Sequence, residues 1–203
     1  MKVLIISSSQ RAASQSAKVA EFMLHMPSSF TKLDHIELCK YDLPFWDGEQ
    51  ESRAAHKNWR RISNKVSQAD ALVLITPEWG GMASPLIKNF LLMCNNQQTA
   101  HKPALLVAIS SGISGAYPIA ELRMNALKNN KLVAVPDHLI IRNVEEVLNQ
   151  PNSSTLTERD SNLQARIKYS LQMLYQYSQA LLAIRQQHNN APYPKQQEYI
   201  YGM

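Results

Sequence analysis

Three runs of apolar residues constrain this chain more than any other feature. They are Lys2–Ile6 (KVLII, apolar after its opening lysine), Ala71–Ile75 (ALVLI) and Ala104–Ile109 (ALLVAI). A strand with one wet face alternates apolar and polar residues, whereas a run apolar at every position must be covered on both sides. Between these runs the period changes. Ser14 to about Met26, Arg53–Ala69, the segment opened by Pro85 and running to Cys94, Tyr117–Asn129 and Asn162–Arg185 carry apolar residues at helical spacing. Trp59, Ile62, Val66 and Ala69 show it well, recurring at i, i+3, i+7 and i+10. Leu33–Cys39 reads as a weaker edge strand, and Leu132–Val135, running on through Leu139–Ile141, as the last strand. Strand and helix alternate throughout, which predicts an α/β fold with a parallel sheet covered by helices on both faces.

The chain has 203 residues, 45% of them hydrophobic, enough for one domain with a sizeable core. We place that domain at residues 1–188. Val144–Thr157, with Gln150-Pro151-Asn152-Ser153-Ser154, reads as a loop. From 189 to 203 periodicity is lost, and this tail is either frayed or an arm laid on a neighbouring subunit. No apolar stretch is long enough to span a bilayer, and the apolar run near the N-terminus is too short for an export signal. Cys39 and Cys94 form no disulfide framework or zinc pattern, so a cytoplasmic protein is expected. The net charge of +5 comes from scattered Lys and Arg without basic–aromatic runs. That disfavours nucleic acid and suits small phosphorylated ligands. The six histidines are dispersed, with no paired ligand spacing.

In an open parallel sheet, ligands bind beyond the carboxyl ends of the strands. Three unusual loops are expected there. Ser7–Ser16 runs straight into a helix, whose unpaired N–H groups and positive dipole end suit an anion. Ser9, Ser14 and Ser16 add hydroxyls, and Arg11 adds a fork-shaped cation. Read more plainly, Ser14 caps the helix and Arg11 is solvated. Thr76-Pro77-Glu78-Trp79-Gly80-Gly81-Met82 could wall a flat ligand, or be a simple turn. Ser110–Tyr117, with Ser111, Gly112 and Gly115, keeps a low profile and makes a third wall, or an ordinary strand-to-helix connection. The first loop lacks the glycines of a dinucleotide fingerprint and the Gly-Lys-Ser of a P-loop.

These segments resemble the NADPH-dependent FMN reductase family. Ser8-Ser9-Gln10-Arg11-Ala12-Ala13-Ser14-Gln15-Ser16 follows that family's phosphate loop with Ser8 in place of glycine. Thr76-Pro77-Glu78-Trp79-Gly80, then Ile87-Lys88-Asn89, follows its flavin-ring loop, and Asp42-Leu43-Pro44-Phe45-Trp46-Asp47 matches a third motif. Leu122-Arg123 after the Ser110–Tyr117 loop also matches. Trp79, Gly80 and Met82 depart from the usual Tyr, Asn and Ser, and Ser84-Pro85 stands where Pro-Gly is common.

The resemblance implies a flavodoxin-like three-layer sandwich with a five-stranded parallel sheet in the order 2-1-3-4-5. It implies FMN as cofactor, NADPH or NADH as co-substrate, and a small electron acceptor. It also implies a homodimer or dimer of dimers, with Trp46 and the tail as interface parts. Ser9, Arg11, Ser14, Gln15 and Ser16 would hold the FMN phosphate. Pro77, Glu78, Trp79, Gly80 and Gly81 would wall the ring on one side, and Ser111, Gly112 and Gly115 on the other. No catalytic side chain is assigned, because the hydride chemistry belongs to the cofactor. A non-enzymatic electron carrier and a flavin-free binding module are the alternative readings.

Overall fold

The computed structural model describes residues 1–149 and 156–199. Its strands are β1 (Lys2–Ser7), β2 (Lys32–Glu37), β3 (Ala71–Trp79), β4 (Met82–Ala83), β5 (Pro103–Ile109) and β6 (Val133–Ile141). Five of them form a parallel sheet in the order β2-β1-β3-β5-β6, as expected. The sixth is a correction: β4 pairs antiparallel with the end of β3 and lies off the main path.

The helices are α1 (Gln15–Leu24), α2 (Gln50–Ala55), α3 (Lys57–Gln68), α4 (Pro85–Met93), α5 (Asn96–Thr99), α6 (Ala116–Glu121), α7 (Glu158–Ala180) and α8 (Leu182–Asn190). Alternate residues of each strand feed opposite cores. Leu4, Ile6, Leu72, Leu74 and Leu106 pack with α3 and α4, whereas Val3, Ile5, Val73, Ile75 and Val107 pack with α1 and α7. Every residue of β5 is buried, which explains why its sequence shows no alternation.

Helix ends differ from the periodicity for local reasons. The expected Arg53–Ala69 helix breaks at His56, where the backbone is extended. Arg53 is buried and faces inward, donating to the Met93 carbonyl at 2.8 Å and lying 5.0 Å from the Trp46 ring. The closing helix starts earlier than expected because Thr157 caps it, accepting the Asp160 N–H at 3.1 Å. It is interrupted at Leu181, and α8 then runs to Asn190. After Glu121 the helix loosens into a π-turn over Leu122–Ala126.

The loop expected over 144–157 falls partly outside the described residues, as do 200–203 of the tail. The described part of the tail folds back on its own chain. Lys131 Nζ donates to the Tyr199 carbonyl at 3.0 Å, and Gln196 Nε2 to the His188 carbonyl at 3.1 Å.

Candidate active site

The chain leaves β1 for β2 on one side and returns to β3 on the other. This creates a crevice at the carboxyl ends of β1 and β3. A buried hydroxyl chain fixes its two sides together. Ser8 Oγ donates to the Ile75 carbonyl at 2.8 Å, and Ser84 Oγ donates to Ser8 Oγ at 2.9 Å. The Ser84 N–H donates to Thr76 Oγ1 at 2.9 Å, and Ser84 Oγ also caps α4 by accepting the Ile87 N–H. Ser8 and Ser84, two departures from the family's usual pattern, are therefore each other's partners.

The second loop is a β-hairpin. β3 continues through Glu78 and Trp79, and the turn is made by Gly80 and Gly81 with φ of +57° and +78°. A two-residue hairpin turn with both φ positive strongly prefers glycine, which is why the pair stands there. Glu121 anchors the returning strand, accepting the Ala83 N–H at 2.7 Å and the Lys88 ammonium at 2.9 Å. Burial works against its charge, but those two bonds prevail and hold the carboxyl below its ordinary range.

Between these elements lies a cleft of about 350 Å³, lined by Ser9, Arg11–Ser16, Pro77–Trp79, Ile109, Ser111, Val144 and Glu145. Its floor at α1 is polar and primed. Ser14 Oγ accepts the Ala17 N–H and Ser9 Oγ accepts the Arg11 N–H, each at 3.1 Å. Each hydroxyl proton thus remains free to donate elsewhere. Ser16 Oγ and Gln15 Oε1 are buried without a hydrogen-bond partner, although Ser16 is only 1% exposed. Buried polar groups are rarely left so, and a bound ligand is one way of satisfying them. His56, Gln164, Ser170 and Arg185 also carry such atoms away from the cleft, so it is the position of Ser16 at the start of α1 that directs it to an anion. A phosphate at the start of α1 would satisfy the Ser16 hydroxyl. Ala13 adopts φ of +51°, a strained conformation for a non-glycine residue and one that clusters at ligand-binding sites.

The remaining cleft wall is the third loop. Ser114 donates its hydroxyl to Glu78 and approaches Ser110 Oγ at 3.3 Å, while Arg142 Nε donates to the Ser114 carbonyl at 2.9 Å. Ser110–Ser114 is thus bonded both to the hairpin and to the end of β6. Lys18 Nζ donates to the carbonyls of Val144 and Val147 at 2.7 and 2.9 Å, which ties the segment after β6 to α1. Burial lowers the pKa of Lys18 against the pull of Glu145 and Asp160.

Of the residues expected from sequence, Ser9, Arg11, Ser14, Gln15, Ser16, Pro77, Glu78, Trp79 and Ser111 meet in this cleft. Gly80, Gly81, Gly112 and Gly115 are outside its lining. Gly80 and Gly81 make the turn, and Gly112 accepts the Asn143 N–H at 3.1 Å. Gly115 packs under β6, where an added Cβ would sit 2.5 Å from Ile140 Cγ2. Ala12, Ala13, Ile109, Val144 and Glu145 line the cleft unanticipated. Val144 and Glu145 come from a segment far along the chain with no serine or glycine signal. Trp46 is half-buried against its own core, its backbone N–H donating to Asn89 Oδ1 at 2.9 Å.

The family model described as NADPH-dependent FMN reductase matches residues 1–146. The chain belongs to the NADPH-dependent FMN reductase family. It is an FMN-dependent NAD(P)H oxidoreductase. An FMN-dependent NADPH-azoreductase of Staphylococcus aureus is 26% identical over 171 residues, covering 82% of this chain and 90% of the relative. Among solved structures, an oxidoreductase from Corynebacterium diphtheriae superposes with a TM-score of 0.62 at 14% identity, covering 88% of this chain and 97% of that one. FerB, a flavoenzyme NAD(P)H:(acceptor) oxidoreductase from Paracoccus denitrificans, gives 0.59 at 19% identity, covering 89% and 96%. At such identities these two likenesses carry the flavodoxin-like fold.

Proposed function

We propose that this oxidoreductase seats the FMN phosphate on Ser9, Arg11, Ser14, Gln15 and Ser16. The flavin ring then lies between the Pro77–Gly81 segment and the Ser111–Gly115 loop. The observation that carries this reading is the unpartnered Ser16 hydroxyl at the start of α1. A phosphate there meets the helix's positive end, three hydroxyl protons and one guanidinium. Pro77 and Trp79 offer apolar surface to a planar ring, and the Ser114–Glu78 bond fixes the slot between hairpin and third loop. When bound, FMN supplies hydride acceptance from the nicotinamide and onward electron transfer. The chain's own residues bind and orient; none in the cleft is assigned as acid or base.

The acceptor is a small molecule: a quinone, a flavin, an azo compound or a metal oxyanion. The Staphylococcus aureus relative's name supports the azo class. A homodimer is supported by exposed apolar side chains. Phe45, Leu92 and Met124 are 83%, 58% and 81% exposed. Leu92 shares one groove with Trp46 and Asn125, the chain neighbours of the other two. We place the protein in the cytoplasm, where its two free thiols, Cys39 and Cys94, would stay reduced.

Purification followed by an absorption spectrum, FMN titration, and NADPH or NADH oxidation with an acceptor panel tests the reading. Bound FMN and turnover with one nucleotide are expected. FMN binding without turnover would favour an electron carrier, and absence of FMN uptake would favour a flavin-free module. Sedimentation measures the dimer.

A further inference from the structure

The Arg11 guanidinium is exposed at the cleft mouth, and among the described residues no carboxylate lies within ion-pair distance of it. It is nonetheless held. The Arg11 N–H donates to Ser9 Oγ, and the Arg11 carbonyl accepts from the Cys39 thiol, so the backbone is anchored. Its Cζ lies 5.3 Å from the centroid of the Trp79 ring. Trp79 is itself fixed, being the last residue of β3 and paired with Met82 across the glycine turn.

The mode of restraint matters chemically. A carboxylate would hold Arg11 by occupying the N–H groups that an incoming phosphate needs. An aromatic ring engages the face of the guanidinium and leaves its in-plane donors available. Indole is the strongest such face among the aromatic side chains, and Trp79 stands where the family usually has tyrosine.

We propose that Trp79 is a positioning residue for the phosphate end of the site. Its indole holds Arg11 over the cleft, so that retention of a phosphorylated flavin depends on a side chain at the ring end. The proposal rests on the reading that the Ser9–Ser16 turn receives the FMN phosphate. It differs from a simple wall role for Trp79, because a wall would act on the flavin ring whether or not a phosphate is attached.

The test compares FMN with riboflavin, which has the same ring and no phosphate, on wild type, Trp79→Leu, Trp79→Phe and Arg11→Met, with the Trp79→Leu/Arg11→Met double variant. Trp79→Leu should weaken FMN binding roughly two- to fivefold more than riboflavin binding, the range for an exposed cation–π contact. Riboflavin should lose only what Trp79 contributes as a wall of the ring, and Trp79→Phe should restore most of the FMN-specific loss. In the Arg11→Met background, Trp79→Leu should weaken FMN no more than it weakens riboflavin, because its cationic partner is gone. Equal weakening of FMN and riboflavin, or an FMN-specific effect of Trp79→Leu that persists in the Arg11→Met background, overturns this proposal while leaving the FMN site intact. Failure of the wild type to take up FMN overturns both.

Discussion

Replacing Ser16 by alanine should move stability and cofactor affinity in opposite directions. Ser16 is 1% exposed, and its hydroxyl has no partner within the protein. A buried hydroxyl left unsatisfied costs about 1–3 kcal/mol. Alanine removes that group at nearly constant volume and has the better helix propensity, by a few tenths of a kcal/mol. The flavin-free protein should therefore be stabilised by about 1 kcal/mol, raising its melting temperature by about 2–4 °C for a domain of this size. In the complex the same hydroxyl would donate to a charged phosphate, a bond worth about 1.5–3 kcal/mol. Losing it should weaken FMN about 10- to 150-fold, read by flavin fluorescence titration. Thermal melts of flavin-free protein supply the other half. Unchanged FMN affinity would show that the phosphate does not reach the start of α1. A flavin-free Ser16→Ala protein less stable than wild type would show that the hydroxyl has a partner of its own.

Gly115→Ala should destabilise by about 2–4 kcal/mol, combining the positive-φ penalty with overpacking against Ile140, and an unfolding free energy from urea denaturation within about 1 kcal/mol of wild type would refute the contact. Ser84→Ala removes the α4 cap and the hydroxyl bonded to Ser8, a loss of about 1–2 kcal/mol. Because Ser8 and Ser84 share that bond, Ser8→Gly combined with Ser84→Ala should cost less than the two singles summed, and strict additivity would count against the coupling. Lys102 is buried against the carbonyls of Val66 and Ser67, and burial, helped by Arg185, brings its pKa down to about 8 from 10.5. Its folded pKa lies below its unfolded one, so folding opposes the charge, and this contribution to stability rises as pH climbs from about 8 towards 10.5. Chemical denaturation at about pH 7 and about pH 9.5 should show a gain for wild type that Lys102→Met lacks; equal pH dependence would refute it.

Much of the architecture was readable because burial on two faces leaves a plain trace. Lys2–Ile6, Ala71–Ile75 and Ala104–Ile109 could only be central strands, and the helical periods between them allowed only crossovers on both faces. Helix ends were less legible, since they depend on single contacts such as Arg53 with Met93 and Thr157 with Asp160. The Gly80-Gly81 pair was visible, but the antiparallel pairing beside it, Glu78-Trp79 with Met82-Ala83, is too short for alternation to announce a hairpin.

The Ser7–Ser16 turn was evident locally, because a strand, a hydroxyl-rich loop and a helix start are contiguous in the chain. From sequence alone, then, came the sheet, its layers and the hydroxyl-rich end of the cleft, each a matter of neighbours along the backbone. Tertiary structure alone brought Val144 and Glu145 into that cleft, joined Ser8 to Ser84 and laid Arg11 on Trp79. Ser8 and Ser84 are 76 residues apart and Arg11 and Trp79 are 68 apart, and Lys18 reaches 126 residues along the chain to hold Val144 at α1. Contacts between distant residues are set by how layers pack, and periodicity along the chain carries no record of them.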